Sequence, residues 1–252
     1  MIRRKQLEAG IVAIVIDNPA RRNALGLDDF RALAALWPDL AQDRSIRAVI
    51  VTGAGEQAFC AGADLSADLT SVAGFDNIVA KALLKVDLLP QPLIAAINGH
   101  CLAGGLELAL AADIRIAARG AKFGLPEVKW GLIPSAGGAM KLVDQIGYAA
   151  AMDLLLTGRF VDAERAERIG LVTQMCEASE VWPLALARAR EVAAASPRAV
   201  RAAKRAALAT RAARYTSQEI EERRLVAELW ASGDVKVGAA AFLDKRAPVY
   251  DD

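Results

Sequence analysis

The stretch Pro92-Leu93-Ile94-Ala95-Ala96-Ile97-Asn98-Gly99, followed by Ala103-Gly104-Gly105-Leu106-Glu107-Leu108-Ala109-Leu110-Ala111-Ala112-Asp113, decides the fold. Five apolar residues between a proline and an Asn-Gly turn read as a strand buried on both faces. Gly104-Gly105 then opens an alanine- and leucine-rich helix to about residue 112. Similar apolar runs stand at 11–16, 47–52 and 114–117, with a short extended piece at 122–123. Helical spacing separates them at 25–42 and in the mixed stretch 68–89. Strands alternating with helices predict an α/β arrangement with a partly parallel sheet. Beyond residue 147 the pattern is 3.6-periodic at 147–156, 163–169, 182–195, 198–214, 217–231 and 235–243, interrupted by one strand at 171–175. No internal repeat is visible.

The 252 residues fit one large domain or a domain with a helical appendage. We place the division at 1–190 for the core and 191–252 for the helical region. Lys and Arg number 31 against 30 Asp and Glu. That balance excludes bulk electrostatic capture of nucleic acid or anionic lipid as the main activity. The three cysteines, Cys60, Cys101 and Cys176, form no CxxC pair and suggest neither a zinc framework nor a disulfide scaffold. A lone histidine, His100, leaves little room for metal or histidine catalysis. The N-terminus lacks a signal-peptide apolar region, and no run approaches a membrane span. These features predict a cytoplasmic protein in a reducing compartment.

Several residues are candidates for chemistry. Glu107 sits in an apolar helix. Either it is buried, with a raised pKa, or it is exposed in the first turn and stabilised by the helix dipole. Glu127, after Phe123-Gly124-Leu125-Pro126, is either a second site carboxylate or a first-turn residue. Ala61-Gly62-Ala63-Asp64 and Ala103-Gly104-Gly105 are places where backbone can approach a ligand, and two N–H groups from separate segments can form an oxyanion hole. Gly53-Ala54-Gly55-Glu56-Gln57-Ala58 fits a loose dinucleotide pattern, although a strand-ending turn explains it as well. Ser135 is not in a GxSxG context, which disfavours a hydrolase built on Ser135 and His100. Arg188, Arg190, Arg198, Arg201, Lys204, Arg205, Arg211 and Arg214 form a basic run. It is either a solvated helix face or a surface for phosphates, a neighbouring subunit or RNA.

Taken in order, these pieces resemble the enoyl-CoA hydratase/isomerase family, the crotonase superfamily. The resemblance runs from Asn18-Pro19 and Asn23-Ala24-Leu25 through Val49-Ile50-Val51-Thr52-Gly53 and Phe59-Cys60-Ala61-Gly62-Ala63-Asp64-Leu65 to the opening block. It continues through Phe123 to Glu127, Gly131-Leu132-Ile133-Pro134, Gly137-Gly138, Leu156-Thr157-Gly158 and Gly170-Leu171-Val172, and closes at Phe242-Leu243-Asp244-Lys245-Arg246-Ala247-Pro248.

The resemblance implies a spiral of ββα units with a helical C-terminal trimerisation region. It implies a homotrimer or dimer of trimers acting on acyl-CoA thioesters in fatty acid metabolism. The coenzyme A is part of the substrate, and no separate cofactor or metal is implied. Carried over by motif, the N–H groups of Ala63 and Gly104 form the oxyanion hole. Glu107 and Glu127 match the two glutamates of hydratases, with Glu107 as base for water and Glu127 as proton donor to the α carbon. Having both favours reversible syn hydration over pure isomerisation.

Departures are informative. A usual glycine is Ala103, a common lysine is Gln91, and two common basic residues are Gln57 and Ser66. CoA phosphate contacts must therefore come from elsewhere: Arg22 is one candidate and Lys245 from a neighbouring subunit is another, with Ala61, Asp64 and Leu65 lining the substrate site. Ser135 replaces a common glycine and points to a polar acyl group. Parts of the chain also look like carnitinyl-CoA dehydratases. The alternatives carried forward are a carnitinyl-CoA-type dehydratase or enoyl-CoA isomerase on the same scaffold, and an RNA-binding second role.

Overall fold

A computed structural model describes residues 1–64, 72 and 74–250; the side chains of residues 212 and 213 are outside that description. The chain opens with β1 (Ile2–Glu8) and β2 (Ile11–Ile16), an antiparallel pair. Helix α1 (Leu27–Gln42) leads to β3 (Ala48–Gly53), β4 (Ala58–Cys60) and α2 (Phe75–Ala82). The same order returns as β5 (Leu93–Ile97), β6 (His100–Leu102) and α3 (Gly104–Ala109). It returns again as β7 (Ile114–Ala118), β8 (Lys122–Gly124) and α4 (Gly138–Ile146). Then come α5 (Tyr148–Thr157), β9 (Val161–Asp162), α6 (Ala163–Arg168), β10 (Gln174–Cys176), α7 (Ala178–Ala194), α8 (Pro197–Ser232) and α9 (Asp234–Leu243).

Three ββα turns therefore stack into a spiral, although the sequence carries no visible repeat. The long strand of each turn joins one sheet, ordered β1-β2-β3-β5-β7-β10 and parallel from β2 onward. The short strands build a second sheet, ordered β4-β6-β8-β9.

Side-chain alternation explains the apolar runs. On β5, Leu93, Ala95 and Ile97 enter the main core inside the spiral. Ile94 and Ala96 face the opposite way and pack with Val181, Ala185 and Ala189 of α7. A parallel strand covered on both faces has no polar side to show.

Some elements differ from expectation. β1 was absent from the sequence reading because IRRKQLE is largely exposed and is held by backbone pairing at a sheet edge. The strand expected at 171–175 is formed at Gln174–Cys176. Helix α4 begins earlier than the periodic region that starts at 147. The helices expected at 198–214 and 217–231 are one continuous helix, α8.

Candidate active site

The two glycine-bearing segments converge. Gly62 takes φ +96°, and a Cβ there would lie 3.2 Å from the Gly104 nitrogen. A Cβ on Gly104 would lie 3.6 Å from the Gly62 Cα and 4.0 Å from the Ala63 nitrogen. Pairing of β4 with β6, with Cys60 opposite Cys101, places these segments side by side at the sheet's end. Gly104 is the first residue of α3, so its N–H has no partner within the helix. Among the described residues neither the Ala63 nor the Gly104 N–H donates a hydrogen bond. Two adjacent, unused donors are suited to stabilising negative charge on a carbonyl oxygen.

Ala103, just before this donor, sits at φ +49° and ψ −129°, a conformation that L side chains rarely adopt. Ala103→Gly is expected to stabilise the protein by about 1 kcal/mol, the relieved strain exceeding the added unfolded-state entropy. A higher urea midpoint at unchanged m-value is the readout; a lower midpoint would show the strain to be absent.

Glu107 lies one turn along α3 and is 4% exposed. The exposed first-turn alternative does not apply. One carboxylate oxygen, Oε1, accepts hydrogen bonds from the Ala136 N–H at 2.7 Å and the Gly138 N–H at 2.9 Å. Gly138 opens α4, whose dipole also favours negative charge there. Burial is the largest influence and raises the pKa. The Gly138 N–H opposes it, Glu222 adds to it, and the Ala136 N–H and Lys141 oppose it, leaving Glu107 at about 7.

Glu127 begins a short 3-10 helix, Glu127–Trp130. The residue is half-buried, but its Oε2 is sealed from solvent and has no hydrogen-bond partner among the described residues. Burial, and then the charge of Glu107, push its carboxyl well above the usual range. Two carboxyls that perturb each other hold protons as a pair. One is anchored by donors and the other is unsatisfied, an arrangement typical of acid–base sites.

The other candidates fall into place unevenly. Ser135 is half-buried beside Ala136, and its hydroxyl makes no hydrogen bond among the described residues. Arg22, at φ +53°, is exposed without an ion pair among the described residues; its carbonyl accepts the Ala61 N–H at 3.1 Å. It lines a cavity of about 470 Å³ with Asn23, Gly55 and Gln57. The Asp64 carboxylate pairs with Arg21, which ties the loop before α1 to the Ala63 segment. Leu65 and Ser66 lie outside the described residues. Lys245 is exposed past the end of α9, at φ +54°.

Other readings lose ground. No helix starts in the Gly53 to Ala58 segment; β3 ends and β4 begins there, which removes the dinucleotide reading. His100 Nδ1 accepts the Lys122 N–H, a packing contact. Much of the basic run is engaged: Arg188 with Glu191, Arg190 with Glu8, Lys204 with Asp113, and Arg211 and Arg214 with Asp144. Among the described residues no group of three His, Cys, Asp or Glu side chains is placed to hold a metal.

Residues 6–252 match the family model described as enoyl-CoA hydratase/isomerase. The chain belongs to the enoyl-CoA hydratase/isomerase family. It is 39% identical over 239 residues to the Mycobacterium bovis protein named "Probable enoyl-CoA hydratase echA8", covering 94% of this chain and 93% of that one. It is 34% identical over 243 residues to the short-chain-enoyl-CoA hydratase of Clostridium acetobutylicum, covering 95% and 93%. The crystal structure of a carnitinyl-CoA hydratase from Mycobacterium avium superposes with a TM-score of 0.92 at 35% identity, covering 99% of this chain and 98% of that one. The crotonase fold and an enzyme of hydratase/isomerase type follow from these likenesses.

The sequence reading overlooked Lys85, Lys141 and Glu222, all buried: Lys141 and Glu222 act on Glu107, and Lys85 pairs with Glu222. The signal available for Lys141 was its place in Gly138-Ala139-Met140-Lys141-Leu142, a cation among apolar helix positions.

Proposed function

We propose that the protein is an enoyl-CoA hydratase, adding water reversibly and syn across the double bond of a 2-enoyl-CoA thioester. The observation that carries this reading is the pair of buried carboxyls that perturb each other, Glu107 held by two N–H donors and Glu127 with an oxygen that has no partner among the described residues. An isomerase, which only moves a proton, does not require two such groups. Glu107 takes a proton from water as the water oxygen bonds to the β carbon. The π electrons shift toward the thioester oxygen, which receives hydrogen bonds from the Ala63 and Gly104 N–H groups. Glu127 then delivers its proton to the α carbon. Arg22, or Lys245 from a neighbouring subunit, meets the CoA phosphates, and Ala61, Asp64 and Leu65 line the approach.

The test is loss of the conjugated enoyl-thioester absorbance on adding enzyme to crotonyl-CoA. Rapid loss supports hydration. Unchanged absorbance from folded protein that binds CoA esters overturns it.

A second reading, a carnitinyl-CoA-type dehydratase, is favoured by the Ser135 hydroxyl, next to the Ala136 that anchors Glu107 and without a hydrogen bond among the described residues. Ser135→Gly is expected to lower kcat/KM for a polar enoyl-CoA relative to crotonyl-CoA by about tenfold, the worth of one hydrogen bond. A ratio that does not move removes the reading.

Residues 191–252 serve in assembly on this proposal, as a trimer or dimer of trimers in the cytoplasm. Trp230, Phe242 and Leu243 leave apolar surface exposed on this region, which suits burial between copies. Sedimentation of a monomer alone at micromolar concentration would refute the assembly.

A further inference from the structure

Behind Glu107 lies a group of charges that the proposed mechanism does not use. Lys141 of α4 is 1% exposed, and its Nζ donates to the Leu84 carbonyl at 2.6 Å. Leu84 is held at φ +52°, so this hydrogen bond braces a strained turn. The next residue, Lys85, is 3% exposed and forms an ion pair of 2.6 Å with Glu222, which is 6% exposed and comes from α8. The Gly137–Gly138 dipeptide joins this group to the site. Its Gly138 N–H holds Glu107, while a Cβ on Gly137 would lie 3.5 Å from Lys141 Nζ and 3.4 Å from the Lys85 carbonyl.

Three buried carboxyl groups, Glu107, Glu127 and Glu222, thus share an enclosed region with two ammonium groups, Lys85 and Lys141. Enclosed charge is costly unless it balances. The five groups balance when the carboxyls hold one proton among them. The hydration mechanism needs that same state: one ionised carboxylate and one protonated carboxyl.

We propose that Lys141, Lys85 and Glu222 are positioning residues that set the Glu107–Glu127 pair to hold one proton. This rests on the acid–base reading of those two glutamates. Lys141 is pressed by burial to about 7, alongside Glu107, so these two exchange protons over the same range. The charged groups facing Glu107 are Glu127 from the 3-10 helix, Lys141 from α4 and Glu222 from α8; Glu222 in turn faces Lys85 and, on its own helix, Glu219, which Arg223 neutralises.

The signs follow from charge. Removing the Lys141 cation makes the pair hold its protons more tightly. The acid limb of the kcat/KM profile then moves to higher pH in Lys141→Met. Removing the Glu222 anion does the opposite, so the limb moves to lower pH in Glu222→Gln. Each shift is about one pH unit. Lys141→Arg keeps a cation at every pH, so its limb stays at or below the wild-type position, and the double variant Lys141→Met with Glu222→Gln returns close to the wild type. A purely structural role would lower kcat/KM without moving the limb in opposite directions.

The experiment is the pH profile with crotonyl-CoA, together with a carboxyl-carbon NMR titration of the same proteins labelled at glutamate. The titration needs no turnover. If the wild type hydrates nothing, the proposed function fails, while opposite shifts in the titration still uphold the charge coupling. Unmoved limbs and unmoved titrations in folded variants, or shifts of the same sign, overturn it. Should Lys141→Met not fold, the Glu222→Gln shift decides alone.

Discussion

Glu107→Gln lowers kcat for crotonyl-CoA hydration by about a hundred- to ten-thousand-fold, the worth of a positioned acid–base group, and at the same time makes the protein more stable above pH 7. The two effects have one cause. The wild-type carboxyl is enclosed, so its proton is held up to about pH 7 in the folded protein against 4.5 for the free group. Wild-type stability is therefore full below about pH 4.5, falls as the pH rises toward 7 and stays reduced beyond it. Glutamine does not ionise, and its carbonyl oxygen can still accept the Ala136 and Gly138 N–H groups that hold Oε1. The variant should match the wild type at pH 4 and exceed it by on the order of 3 kcal/mol at pH 8, the worth of a rise from 4.5 to about 7. Urea unfolding at the two pH values, set beside kcat, checks both halves. Equal stability at pH 8 would mean that Glu107 is solvated, and undiminished kcat would remove it from the chemistry. Glu127→Gln should cost a similar factor in kcat, because Glu127 supplies the second proton transfer.

How far the sequence discloses this site depends on what each residue contributes. Strands β3 and β5 are legible because both faces are buried, so Val49 to Val51 and Leu93 to Ile97 read as unbroken apolar runs. Strands β4 and β6 have three residues each, too short for any periodicity, and the second sheet emerges only when successive turns of the spiral stack. Gly104 and Glu107 are legible as a pair because they share one helix. That Ala63 lies beside Gly104 is a tertiary fact, set by the β4–β6 pairing. Whether Glu107 was enclosed stayed undecided in sequence, since the covering atoms come from the segment around Gly138, about thirty residues later. Glu222 is further out of reach. It sits on a helix rich in charge, and its enclosure depends on meeting Lys85 from the other half of the chain. Read alone, Arg223, Arg224, Glu221 and Glu228 make that helix a solvated one, and those four are indeed exposed.

Gly105→Ala is expected to destabilise the fold by about 3 kcal/mol and to lower kcat by a hundredfold or more. A Cβ at Gly105 would stand 2.2 Å from the Cys60 carbonyl oxygen and 2.8 Å from its carbonyl carbon. These are backbone atoms of β4, buried and paired with β6, so no flexible side chain can give way. Helix α3 must back away from β4, and its first N–H, that of Gly104, moves with it. The two donors that converge on one oxygen are then separated, and the loss of one such donor is worth about 2.7–4 kcal/mol in the transition state. Gly104→Ala provides the contrast. There the added methyl meets the Leu83 Cδ1 at 3.3 Å, the end of a side chain that can turn aside. Its stability should fall by less than about 1 kcal/mol. Urea midpoints for both variants, measured with kcat, separate the cases. Equal midpoints for Gly105→Ala and wild type would show that α3 and β4 do not meet at this distance. A large stability loss with kcat intact would show that the Gly104 N–H is not needed for the reaction. The two adjacent glycines thus answer different requirements: Gly105 lets α3 meet β4 closely, and Gly104 presents the N–H that this close packing aims.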